Sequence, residues 1–112
     1  MENNKRPDSM ERITTAELAD AFIAEQVELI KEIHGFLIQN LEKRYTIEEL
    51  SRKYLINTSS LKKTFKSIYG QPIAGYMKEY RIRRAAELLR RTDDSIAVIA
   101  RRLGYENQGK FT

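Results

Sequence analysis

At 112 residues and 13.1 kDa the chain has the length of one modest domain, and a hydrophobic content of 41% is enough for a single core. Its charged fraction of 32%, mean hydropathy of −0.58 and lack of any run of about 18 apolar residues exclude a membrane-spanning helix; the lack of cysteine excludes disulfides and thiolate metal sites. The net charge of +4 conceals a polarity: residues 1–50 hold six Lys/Arg against 11 Asp/Glu, and residues 51–112 hold 14 against five, the footprint of a nucleic-acid-binding half joined to a half that stays clear of phosphates.

Residues 1–13 are polar, contain Pro7 and show no period, so a disordered arm is expected there. They also lack the apolar stretch of a signal peptide, which points to a cytoplasmic protein. A long amphipathic helix is expected over 14–44. Ile23, Val27, Ile30, Ile33, Leu37 and Leu41 recur at steps of three and four, and Phe22, Leu29 and Phe36 add a neighbouring stripe. That apolar sector is wider than one helix–helix contact needs. Either the helix caps the core of the hairpin downstream of it, or its upstream half packs on a partner chain or a further domain. His34 is the sole histidine and no second histidine or cysteine completes a metal site, so a structural or exposed role is expected.

Two short helices with a tight break are expected over 45–71. Thr46 followed by Glu49 is a capping box, in which the hydroxyl takes the third helical N–H and the carboxylate reaches back to the cap. Ile47, Leu50 and Tyr54 share one face. Asn57 caps the next helix, which buries Leu61, Phe65 and Ile68 and turns Thr58, Ser59, Lys62, Lys63 and Lys66 outward. A short helix with apolar residues on one side and hydroxyls and ammonium groups on the other suits a DNA major groove. The plainer alternative is a helical hairpin with a solvated lysine face.

Gly70 suits a left-handed C-terminal cap, and Pro72 the first position of a new helix over 72–92. Its buried side is expected to carry Ile73, Met77, Tyr80, Ala85, Leu88 and Leu89, with Lys78, Arg81, Arg83, Arg84, Arg90 and Arg91 outside. At 1.5 Å per residue this is a rod of roughly 30 Å, near the roughly 34 Å between successive major-groove faces. A second hairpin occupies 93–112, with Ile96, Ile99, Ala100 and Leu103 inward, Gly104 at the turn and Asn107 as the next cap. Ile47 to Tyr54 aligns with Ile96 to Leu103 at an offset of 49, matching apolar, small and paired basic positions. Two copies joined by a groove-length helix make two reading heads on one rod.

With these residues in view, the chain resembles the DNA-binding domain of the AraC/XylS family of bacterial transcription regulators over about Val27 to Thr112. The resemblance is carried by Thr46–Ser51, Leu61–Lys66, Gly70–Pro72, Tyr76–Arg81, Arg84–Leu89 and Ser95–Gln108, specific in combination though each piece is weak alone. It implies an all-α fold, two helix-turn-helix units joined by a long linker helix, and promoter DNA bound by a monomer or dimer, often beside a separate sensor or dimerisation domain. By position it implies a first recognition helix reading with Thr58, Ser59, Lys62 and Lys63, and a second beginning at Gln108, Gly109, Lys110 and Thr112 with Phe111 inward. Lysine reaches guanine or phosphate and a hydroxyl can contact either, so no sequence preference can be deduced. Arg81 and Arg84 are expected to be mainly structural, paired with the Glu79/Glu87 set or with core carbonyls, while Arg52, Arg101 and Arg102 are candidate phosphate contacts or solvated surface. No cofactor is implied.

Three departures stand out. Leu55 takes the place of the usual turn glycine, where a left-handed conformation costs leucine roughly 1–2 kcal/mol. Gly109 replaces a contacting or capping side chain. The sequence reaches only about one turn into the second recognition helix, so the 95–112 segment is expected to be less stable than 46–91. An enzyme reading has no support, since there is no glycine-rich phosphate cradle and Glu48–Glu49 is a helix start. The rival is a protein–protein interaction module on the same scaffold, bound through the Phe22–Leu41 helix. RNA polymerase, a sensor domain or a second copy of the chain are the further partners to consider.

Overall fold

The computed structural model describes residues 13–105, and among these there are five helices and no strand. They are α1 (Thr15–Gln39), α2 (Ile47–Tyr54), α3 (Thr58–Tyr69), α4 (Ile73–Arg91) and α5 (Ile96–Arg102). The expected arm lies almost wholly outside the described residues. So does the start of the second recognition helix, with Gln108, Lys110 and Thr112.

Local chemistry sets the helix starts. Thr14 with Glu17 and Thr46 with Glu49 form full capping boxes, and Asn57 and Ser95 accept from the third helical N–H of α3 and α5. Pro72 stands one position earlier than expected, as the residue before α4, and has no side-chain cap to offer. α1 stops at Gln39, short of the expected 44. Asn40 turns its side-chain amide back to the Phe36 carbonyl, and the carbonyls of Leu41 and Lys43 are taken by a side chain of α4.

The core is one cluster drawn from every helix. Ile30, Ile33, Leu37, Leu50, Leu61, Phe65, Met77, Ala85, Leu88 and Ile99 are all buried in it. His34, on the same side of α1, stacks on Tyr69 with centroids 4.4 Å apart and its Nε2 lies 2.7 Å from the Tyr76 hydroxyl. The single histidine therefore fastens α1 to α3 and α4, the structural role of the two expected for it.

Several expectations of burial fail in instructive ways. The first turns of α1, as far as Glu25, are exposed along their whole length: Leu18, Phe22 and Ile23 are open to solvent, Phe22 by 61%. In α4, Leu89 and Ile82 face solvent, while Arg81, expected outside, is only 5% exposed. It sits in line with Met77, Ala85 and Leu88, and its Nε and one Nη donate to the carbonyls of Leu41 (3.1 Å) and Lys43 (3.2 Å). A buried guanidinium is tolerated because two of its donors meet loop carbonyls that lie beyond the end of α1 and outside any helix. Burial, and secondarily the charge of Arg44, pull its pKa down from the ordinary value. Ile96 also lies open, because α5 is short and presents only Ile99, Ala100 and the following Leu103 to the core.

The 49-residue offset holds in three dimensions. Thr46 and Ser95 are both N-caps. Leu55 and Gly104 both take left-handed backbone, at φ 54° and 87°. Ile56 and Tyr105 are both buried, and each donates its N–H to the carbonyl five residues back, in Ser51 and Ala100. In the first unit Ser51 adds a hydroxyl bond to the Ile56 carbonyl. Two turns of the same construction thus flank α4.

Candidate nucleic-acid interface

α3 is the element whose surface is built for a polyanion. Leu61 and Phe65 are fully buried one turn apart, which fixes the helix rotation about its axis. Lys62, Lys63 and Lys66 consequently project from the other side and are exposed, as is Ser59; Thr58, in the first turn, is half-buried. Among the described residues the three lysines make no ion pair, so their charge is uncompensated by the protein. α2 lies behind α3, and Arg52 on it is exposed and likewise unpaired.

The arginines divide into those that serve the fold and those left open. Arg84 pairs with Glu87, which also takes Arg91 at 3.3 Å; the Arg84 hydrogen bond and then the Arg91 charge hold the Glu87 carboxyl below its usual value. Arg102 is engaged by Asp94 at 2.9 Å, a bond that ties α5 to the loop before it and draws that guanidinium away from the role of a free phosphate contact. Arg101 is exposed and makes no ion pair among the described residues. Of the proposed reading residues, those on α2 and α3 are thus gathered on one unit and Arg101 lies on the other, whereas Gln108, Lys110 and Thr112 fall outside the described residues.

Two cations escaped the sequence reading. Arg44, in the loop after α1, lies over the Tyr105 ring at 4.7 Å. Lys78, on the second turn of α4, shares a cavity of about 410 Å³ with it, floored by Leu37, Ile73 and Met77. The cationic excess of residues 51–112 takes in Lys78 but not Arg44, which lies in the acidic half, and it does not say which cations converge. No cluster of histidine and acidic residues among the described residues could hold a metal ion, and no described helix is long and apolar enough to cross a membrane.

Residues 50–112 match the model of a helix-turn-helix domain family. The chain is 31% identical over 83 residues to the HTH-type transcriptional activator RhaR of Mannheimia succiniciproducens, an alignment covering 74% of this chain and 30% of that protein. It therefore spans less than a third of the length of that relative. Its fold is similar to the DNA-binding domain of AdpA, solved in complex with a target DNA, with a TM-score of 0.68 at 20% identity over 73% of this chain and 74% of that one. An AraC-type regulator from Chromobacterium violaceum gives a TM-score of 0.68 at 24% identity, covering 79% of each chain. On the match over residues 50–112 and the 31% identity to the RhaR activator, the chain belongs to the AraC-type helix-turn-helix family.

Proposed function

We propose that the chain is a sequence-specific DNA-binding unit of a bacterial transcription regulator, with α3 as the helix that enters the major groove of promoter DNA and the cytoplasm as its place of work. What carries this reading is the contrast across α3: two fully buried apolar anchors on one side, and on the other three exposed lysines that no carboxylate neutralises. Ser59, Lys62 and Lys63 are assigned to base edges or adjacent phosphates, with Thr58 at the rim. Lys66, Arg52 and Arg101 are assigned to phosphates. Gln108, Lys110 and Thr112 are assigned by resemblance to the second head, and Arg102 joins them only when its pairing with Asp94 opens. The test is duplex-DNA affinity measured across a salt series. Lys62→Ala and Lys63→Ala should each weaken binding and lower the salt slope by about 0.9. If both variants bind with the wild-type slope, α3 is not the reading helix.

A second reading has one observation in its favour. Leu18, Phe22 and Ile23 are exposed on α1, and Phe22 and Leu29 line a groove of about 860 Å³ with Leu55 and Ile56. An apolar face of this kind suits a protein partner, whether a sensor domain, a subunit of RNA polymerase or a second copy of the chain. On this reading Phe22→Ser changes the oligomeric state or partner binding and leaves the salt slope on DNA unaltered.

A further inference from the structure

Two shallow grooves lie side by side across the start of α4. The first has Lys62, Lys63 and Lys66 on its α3 wall and Pro72, Ile73 and Ala74 on the other. The second shares Ile73 and Ala74 with the first and continues to Lys78, Arg44 and Tyr105, at the threshold of the second unit. Among the described residues no carboxylate lines either groove. We propose that the two form one track for the DNA sugar–phosphate backbone, in which Arg44 and Lys78 each hold a phosphodiester on the stretch of duplex between the two reading heads. This rests on α3 being the major-groove helix, and it adds contacts that neither the sequence pattern nor the family resemblance supplied.

Three features favour Arg44, and the first of them, with the place on the track, favours Lys78 as well. First, neither has an acidic partner within ion-pair distance among the described residues, unlike Arg83, Arg84, Arg91 and Arg102, which all do. Second, Arg44 is positioned: its guanidinium carbon lies over the Tyr105 ring, 4.7 Å from the centroid, a cation–π contact that holds the group in place without a carboxylate among the described residues taking its N–H donors. Third, Arg44 stands close enough to buried Arg81 for its charge to weigh on that guanidinium, and among the described residues no carboxylate lining the cavity offsets the pair. An anion delivered to this place relieves a repulsion that the folded protein otherwise carries. A phosphodiester does so at the position the duplex must cross in passing from α3 toward the second unit.

Phosphate contacts fix register and orientation without reading sequence, so the signature is in the salt dependence. With the full chain and a duplex of arbitrary sequence, Arg44→Gln and Lys78→Gln should each lower the slope of log K against log salt by about 0.9. The affinity lost between 50 and 200 mM salt then shrinks roughly threefold per variant. Arg44→Lys should restore most of the slope, and Arg83→Gln, on the far side of α4, should leave it unchanged. Wild-type slopes for both Arg44→Gln and Lys78→Gln, with Lys62→Ala still lowering it, overturn the track while sparing the reading helix. An equal drop for Arg83→Gln overturns it too, since the effect is then the diffuse field of a basic domain. If the Lys62, Lys63, Arg44 and Lys78 variants all match wild type, the DNA-binding reading falls with it.

Discussion

Leu55 and Gly104 occupy equivalent turns and meet opposite demands. At Leu55 the backbone is left-handed and the side chain is 91% exposed, so the residue carries strain and recovers almost nothing by burial. Glycine adopts that φ without the roughly 1–2 kcal/mol penalty and gives back part of the gain through its freer unfolded chain. Leu55→Gly should therefore stabilise the protein by about 0.5–1 kcal/mol in chemical denaturation. Arg81 shows the reverse case, a residue whose removal leaves acceptors stranded. Its two bonds are the chief use made of the Leu41 and Lys43 carbonyls, and hydrogen bonds to a charged donor contribute about 1.5–3 kcal/mol each. Arg81→Ala should cost at least about 3 kcal/mol, and Arg81→Lys should recover little, because one ammonium does not reproduce the fork. A loss below about 1 kcal/mol for Arg81→Ala would mean the cap is ornamental.

At the scale of elements, what decides the effect of a change is whether the helix it starts is packed. The capping boxes of α1 and α2 are chemically identical, yet the first turn of α1 is exposed while α2 buries Leu50 within a turn of its cap. Thr46→Ala should cost about 1 kcal/mol of global stability, and Thr14→Ala should only raise the exchange rates of the first α1 amides. His34 is the element-scale pH sensor. Burial lowers its folded pKa, so below the ordinary histidine value the unfolded chain binds the proton more readily. Stability is then full above that value and falls as pH drops from about 7 toward 5. His34→Gln should flatten that decline in urea titrations at a series of pH values. Helical periods, caps and the 49-residue repeat were legible in the sequence because each depends on neighbours a few residues away. For Arg81 the family resemblance implied a structural role with core carbonyls among its partners, but the helical period placed it outside, because its acceptors lie about 40 residues upstream and a period assigns arginine to the surface. Nor could a period tell that α1 is covered downstream of Gln26 and bare before it, since that depends on how far α3 and α4 reach along it. The α3 lysines were legible as a cationic face. Arg44 and Lys78 were not, being brought together only when the loop after α1 folds across α4.

That loop is also where the molecule holds its two units together. Arg81 reaches it from α4, Arg44 leaves it for Tyr105, and Gly104 abuts it directly: a Cβ on Gly104 would lie 2.8 Å from the carbonyl oxygens of both Leu41 and Glu42. Those are backbone atoms already fixed from the α4 side, so they cannot retreat cheaply, and the left-handed backbone of Gly104 adds its own penalty to any side chain. Leu55 faces no such wall, which is why leucine survives in one turn and glycine is required in the other. Gly104→Ala should accordingly lift the second unit off the loop while α2, α3 and the first half of α4 stay folded on α1. Native-state hydrogen exchange reads this out as lost protection in α5 with near-wild-type protection at Leu61 to Phe65. On the proposed reading, in which the two heads bind DNA at a fixed separation along α4, duplex binding should weaken even though no proposed contact residue has changed. Uniform loss of protection across all five helices would instead show that the two units unfold as one, and that the loop is a part of a single core rather than a joint between heads.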